Sequence, residues 1–176
     1  MALCLSEGSL AEGRIFTVSA PGGLFYSCTL VEAVPAKELK LYVTILETFA
    51  DKEWLPTAGV ILRDDKDRDV YKLGLIAIPN HEGVFTPNQL FAFNSGTDSQ
   101  EDANLYYPGK HVRLNERSTF ELTWSERPTK VALSELMQST FRLSQTPVTA
   151  RLVVSGMKVL VESESESLPD CIVGDA

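Results

Sequence analysis

The chain is poor in the side chains that most enzymes use for proton and metal chemistry. It has 176 residues but only two histidines, His81 and His111, and neither stands in HExxH, HxH or another spacing that aims two nitrogens at one metal. His81 falls in an Asn-His-Glu-Gly turn and His111 at a strand start, places suited to exposed or edge side chains. GxSxG, P-loop and dinucleotide-binding signatures are missing, which removes the familiar nucleophile and nucleotide chemistries. The three cysteines, Cys4, Cys28 and Cys171, are odd in number, widely separated and without a CxxC, a pattern that fits a reducing compartment better than a disulfide scaffold. The N-terminus has neither a basic region nor a signal-length apolar run, and no window approaches the roughly 18 apolar residues of a membrane helix. The expectation is an intracellular protein, nuclear or cytoplasmic, with no signal peptide, membrane contact, cofactor, metal or catalytic residue.

Positive charge is also scarce. Lys and Arg total 16 against 24 Asp and Glu, a formal net charge of -8. A field of that sign repels phosphate backbones and excludes general nucleic-acid binding, while it attracts a basic partner.

What the sequence does contain is period-two alternation. Leu39, Leu41, Val43 and Ile45 fall on one face of a strand, as do Phe120, Leu122 and Trp124, with Thr119, Glu121 and Thr123 outward. Further strands are expected at 14–20, 24–33, 58–63, 70–78, 90–94, 111–114, 130–133, 140–144, 148–154 and 157–161. Turns are expected at Pro21-Gly22-Gly23, Pro35-Ala36, Asn80–Gly83, Asn94–Gly96, Pro108-Gly109 and Ser155-Gly156, and a helical turn only at 133–139. Short strands with regular turns predict a single all-β domain, an antiparallel sandwich or barrel over residues 1–161. Residues 162–176 hold five acids and no Lys or Arg, and predict a mobile acidic tail.

Acidic side chains form the first set of candidate binding residues. Asp64, Asp65, Asp67 and Asp69 lie in the run DDKDRD, where alternate carboxylates invite a calcium reading. Counted from Asp65, however, the EF-hand Gly and Glu positions hold Val70 and Ile76, so the run reads as a charged β-turn. Asp98, Glu101 and Asp102 occupy a polar loop over 94–104, and Glu162, Glu164 and Glu166 alternate with serines in the tail. With nothing there to raise one carboxyl pKa, the tail glutamates do not make an acid/base pair. A second set is aromatic. Trp54, Tyr106 and Tyr107 stand beside polar residues, where exposed rings could stack on a glycan or anchor a subunit interface, whereas Trp124 continues an inward alternation.

Three segments resemble, in order, the nucleoplasmin family of histone chaperones: FYSCTL at 25–30, LKLYVTILETFADKEW at 39–54, and STFRL at 139–143 leading through Pro147-Val148 to Ser155-Gly156 and the acidic tail. The resemblance implies an eight-stranded jelly roll that oligomerises and holds basic histones with acidic loops and tail, without enzymatic activity. The middle, 57–113, is long for that family, and Ser144–Pro147 replaces its Gly-Ser-Gly-Pro approach to the last strand. The strand pattern is similar, too, to concanavalin-type lectin domains and to viral capsid or decoration jelly rolls. A carbohydrate-binding sandwich and a structural particle subunit are therefore the two alternatives.

Overall fold

The computed structural model describes residues 3–10, 13–31, 37–49, 55–78, 90–96, 111–124, 129–141, 147–163 and 171–175, and its regular elements there are all strands. They are β1 (Leu3–Leu10), β2 (Gly13–Val31), β3 (Lys37–Thr48), β4 (Thr57–Arg63), β5 (Asp69–Ile76) and β6 (Leu90–Gly96). They continue with β7 (His111–Val112), β8 (Arg117–Trp124), β9 (Thr129–Leu133), β10 (Met137–Phe141), β11 (Thr149–Ser163) and β12 (Cys171–Asp175). Each pairing among them is antiparallel. The expected all-β jelly-roll sandwich is the observed fold.

Its organising pair is β2 with β11. The two run side by side from Ala150 opposite Val31 to Ser163 opposite Arg14. Along that run β11 changes its other neighbour: residues 149–155 pair with β4, and residues 157–163 pair with β3. The hydrogen-bonded order is thus β10-β9-β8-β3-β11-β4-β5-β6-β7, folded at β11 so that β3, β8, β9 and β10 extend a first sheet and β4, β5, β6 and β7 a second. β1 adds to the first half of β2 and β12 to its second half.

The fold corner is where glycine freedom is spent. Gly156 has φ +62° and Gly23 φ +77°, both in the left-handed region that L side chains avoid. Ser155 pairs with Phe25 and Met157 with Ala20, so residues 21–24 bulge opposite Gly156 alone. Pro21-Gly22-Gly23 and Ser155-Gly156, expected as reversals, are therefore bends inside paired strands. Buried Pro56 fills the corner, 3.1 Å from where a Cβ on Gly156 would stand, and the Phe49 amide donates to the Gly156 carbonyl at 2.8 Å.

Between the sheets lies one core, fed by the inward sets of the alternating strands: Leu39, Leu41, Val43 and Ile45 from β3, Phe120, Leu122 and Trp124 from β8, and Leu152, Val154, Val159 and Val161 from β11. Trp124 is core, as its alternation implies. The helical turn expected at 133–139 is instead the turn of the β9–β10 hairpin. Ser134 takes φ +47° and ties it to β8, donating from its amide to the Thr119 carbonyl at 2.7 Å and accepting the Thr119 amide on Oγ at 2.8 Å. Two strands were not expected. Residues 3–10 form β1, and 171–175 form β12 within the stretch read as a mobile tail, whose first residues, Glu162 and Ser163, end β11. Cys28 also departs from the free-thiol reading, being fully buried and disulfide-bonded.

Gly59 of β4 and Gly74 of β5 face each other across the second sheet. A Cβ on Gly59 would collide with the Leu73 carbonyl oxygen, backbone that cannot rotate away. Gly59→Ala should therefore lose about 1–3 kcal/mol of stability, measured as a fall in urea midpoint. Lys66→Ala in the exposed β4–β5 turn should stay within about 0.5 kcal/mol.

Candidate functional site

Strand alternation that buries one set of residues in the first sheet leaves the other set on its outer face. There β8 contributes Thr119, Glu121 and Thr123, β3 contributes Glu38, Lys40, Tyr42 and Thr44, β9 contributes Lys130 and Ala132, and β10 contributes Gln138 and Thr140. The register lines these up across strands. Gln138, Ala132, Glu121 and Lys40 form one row, and Thr140, Lys130, Thr123 and Glu38 the next. A third row runs from Thr119 through Tyr42 to Glu162 of β11.

Two ion pairs organise the β3 side of this face. Lys40 reaches Glu121 at 3.4 Å, and Arg117 reaches Glu162 at 2.9 Å. Tyr42 lies between them. The Arg117 guanidinium stacks 3.8 Å from its ring centroid and the Lys40 ammonium stands 5.5 Å from it. Hydrogen bonding to the Tyr42 hydroxyl, with a further contribution from Glu121, holds the Lys40 ammonium above its ordinary pKa. On the β10 side the face hollows into an open cavity of about 350 Å³ lined by Glu121, Thr123, Lys130, Val131, Ala132, Gln138 and Thr140. Its walls offer hydroxyls, an amide, a carboxylate and an ammonium. Among the described residues Lys130 is in no ion pair.

Of the residues singled out by sequence, Glu162 joins this face through Tyr42 and Arg117, and the other described ones lie elsewhere. Asp64, Asp65, Asp67 and Asp69 occupy the β4–β5 turn, where basic neighbours hold most of them. Asp69 pairs with Arg63 at 2.8 Å and Lys72 at 3.0 Å, and Asp67 pairs with Arg63 at 2.9 Å. Asp64 is buried, with Oδ1 accepting the amides of Lys66 and Arg68 at 2.9 Å and Oδ2 meeting the Arg68 guanidinium. Its carboxylate closes the turn and is not offered to a partner; only Asp65 points out without such a contact among the described residues. Glu162 belongs to β11 and the Arg117 pair. Asp98, Glu101, Asp102, Glu164, Glu166, Trp54, Tyr106, Tyr107 and His81 lie outside the described residues. His111 is exposed on β7, and no group of three His, Cys, Asp or Glu among the described residues converges as a metal site.

No family model matches the chain, and no curated protein does. Solved structures do. A carbohydrate esterase from the Shiga toxin-encoding bacteriophage phi24B superposes with TM-score 0.51 at 12% identity, covering 93% of this chain and 85% of that one. An alginate lyase from Alteromonas sp. 272 gives TM-score 0.50 at 5% identity, covering 93% and 79%. At such identities the likeness establishes a shared jelly-roll fold.

These findings overturn the nucleoplasmin resemblance and the histone-chaperone function drawn from it. The quoted segments are alternating strands that many sandwiches share. Among the described residues the fold has twelve strands rather than eight, with β2 and β11 traversing both sheets, and of the described acids counted on for histones Asp64, Asp67, Asp69 and Glu162 are engaged by Arg63, Arg68, Lys72 and Arg117. The expectation that the chain is no enzyme falls with it. A lyase and an esterase are built on this fold, so missing familiar motifs exclude nothing.

Sequence reasoning missed Tyr42, Lys40, Arg117, Lys130 and Gln138. The outward positions of β3 and β8 were readable from alternation, but their rows exist only once the register of four strands is known.

Burial raises the Asp64 pKa, and the Arg68 and Lys66 amides with the Arg68 guanidinium outweigh it, leaving the carboxyl below its ordinary 3.8. The unfolded chain then binds the proton more readily than the folded one. The resulting stability is complete above that ordinary value and is lost as pH falls through the lower folded value. Asp64→Asn should lower the melting temperature at pH 7. It should also flatten the acid limb, so that variant and parent converge in thermal scans as pH falls through the lowered folded value.

Proposed function

We propose that this chain recognises a polysaccharide laid across the outer face of β10, β9, β8 and β3. The observation that carries the reading is the open cavity on that face, which places the Thr123 and Thr140 hydroxyls, the Gln138 amide, the Glu121 carboxylate and the Lys130 ammonium around about 350 Å³. That volume is within the range of small-molecule sites, and its alternating donors and acceptors suit vicinal sugar hydroxyls. The register carries this face on from Glu121 to Lys40 and from Thr119 to Tyr42, so a polymer can continue past the cavity toward Tyr42 and Arg117. The carbohydrate-directed names of the two fold neighbours, an esterase and an alginate lyase, support the same reading.

Affinity electrophoresis through gels containing alginate or a neutral glucan tests it. Retardation by at least one of these polymers is expected, and none in either would overturn the reading. Lys130→Ala and Gln138→Ala should each weaken that binding by roughly tenfold to a hundredfold, the loss of a charge-assisted or buried polar contact, with unchanged thermal stability.

A second, catalytic reading has its own observation. Tyr42 holds its hydroxyl against the Lys40 ammonium with Arg117 over its ring, a phenol placed to exchange a proton with a sugar oxygen. In hydrolysis, the Tyr42 O–H would donate its proton to the departing glycosidic oxygen as the C–O bond breaks, and a water molecule would bond to the sugar carbon and return its proton to the Tyr42 phenolate. Tyr42→Phe should then abolish the release of oligosaccharides from the bound polymer, followed by reducing-end assay, while affinity changes less than about threefold. Undiminished release by the variant would remove Tyr42 from the chemistry.

A further inference from the structure

Cys28 stands in the middle of the second half of β2, fully buried and disulfide-bonded, and no part of the polysaccharide site uses it. The sequence offers two other cysteines, Cys4 and Cys171. Burial shuts out a bond to a second copy of the chain, so the partner is one of these. Cys4 lies on β1 with Val18 as its cross-strand partner, on the far side of the Gly23 bend from Cys28. At about 3.3 Å per residue of strand, roughly 20–30 Å separates the two positions even with the bend. A disulfide spans about 4.4–6.8 Å between Cα atoms. Cys171 meets that condition, because the register of β12 on β2 sets it directly opposite Cys28, and opposed residues of an antiparallel pair stand about 4.5–5.5 Å apart.

We infer that Cys28 and Cys171 form a cross-strand disulfide that latches β12 to the second sheet, and that the protein works in a compartment that oxidises thiols. The bond forms by exchange with a disulfide oxidant such as glutathione disulfide. One cysteine thiolate attacks the oxidant's S–S bond and expels a thiolate. The second cysteine thiolate attacks the mixed disulfide and expels the other. Both protein thiols give up their protons, and the oxidant leaves as two thiols carrying the two electrons. Oxidised pairs of this kind persist in secreted, periplasmic and surface proteins and are rare in reducing cytosol.

The latch has a structural task. β12 is five residues long and sits beside β2 away from β11, so it ends the hydrogen-bonded ladder on that side. Ser27 and Thr29, the neighbours of Cys28 on β2, are buried at 8% and 4% exposure in this arrangement. A strand this short is held weakly by its ladder alone, and releasing it would bare an unpaired edge on β2. The covalent link closes a loop of about 140 residues, the long-loop case in which a cross-link constrains the unfolded chain most.

The inference is independent of the polysaccharide reading and is tested separately. The full chain is equilibrated in a glutathione buffer poised like a secretory compartment, alkylated, digested without reduction and mapped by mass spectrometry. One linked pair containing Cys28 and Cys171, with Cys4 alkylated, is expected. Alkylated Cys28, or a link from Cys28 to Cys4, would overturn the assignment. Cys171→Ser should lower the melting temperature by roughly 5–15 °C, and dithiothreitol should lower that of the parent chain by a similar amount. Neither treatment should add to the other, and Cys4→Ser should leave the value unchanged. An unaltered melting temperature in Cys171→Ser would show that no latch exists.

Discussion

The pairing of β2 with β11 is the constraint on which the rest of the structure depends. Two long strands stay hydrogen-bonded through a bend, and that bend decides which strands belong to which sheet. β3 takes one half of β11 and β4 the other, with Gly156 between them. The inward sets of both halves then face one another and close a single core. Because β3 is held in register by β11, its outward residues Lys40 and Tyr42 come to lie between Glu162 on one side and β8 on the other. The polar face is a consequence of the spine.

Much of the fold could be read from alternation alone, and the places where reading failed share one cause. Period two located β3, β4, β5 and β8 closely because each buries one face and wets the other. Glycine signals marked positions of unusual φ correctly at Gly23 and Gly156, but a positive φ does not say whether the chain reverses or bends while still paired. That is settled by β11 lying alongside β2, a contact between residues more than 100 apart in sequence. The same long-range dependence hid the site. Tyr42 and Arg117 meet through the pairing of β3 with β8, and Lys130 and Gln138 through that of β8, β9 and β10. The segments compared with nucleoplasmin illustrate the opposite error. Local alternation was read as family identity, although it records little more than membership in a sandwich.

Charge tells a similar story. A net charge of -8 describes the chain as a whole and predicts attraction for a basic partner. In three dimensions the carboxylates of the β4–β5 turn are largely consumed by Arg63, Arg68 and Lys72, serving the turn itself. On the outer face of the first sheet the scarce cations are set beside acids and an aromatic ring in a mixed pattern. A sum over the sequence therefore points toward one class of ligand, while the local arrangement sets charges of both signs beside hydroxyls and an amide.

The bend at Gly156 also divides the molecule mechanically. The sheets meet along one spine, like the boards of a book, and residues 155–157 with 20–25 are its binding. Breaking the main chain in an outer hairpin would leave both boards attached. A break within β11 would strip β2, β3 and β4 of a neighbour at one stroke, so this strand, like β2 beside it, is one that a circularly permuted or split version of the protein has to keep whole.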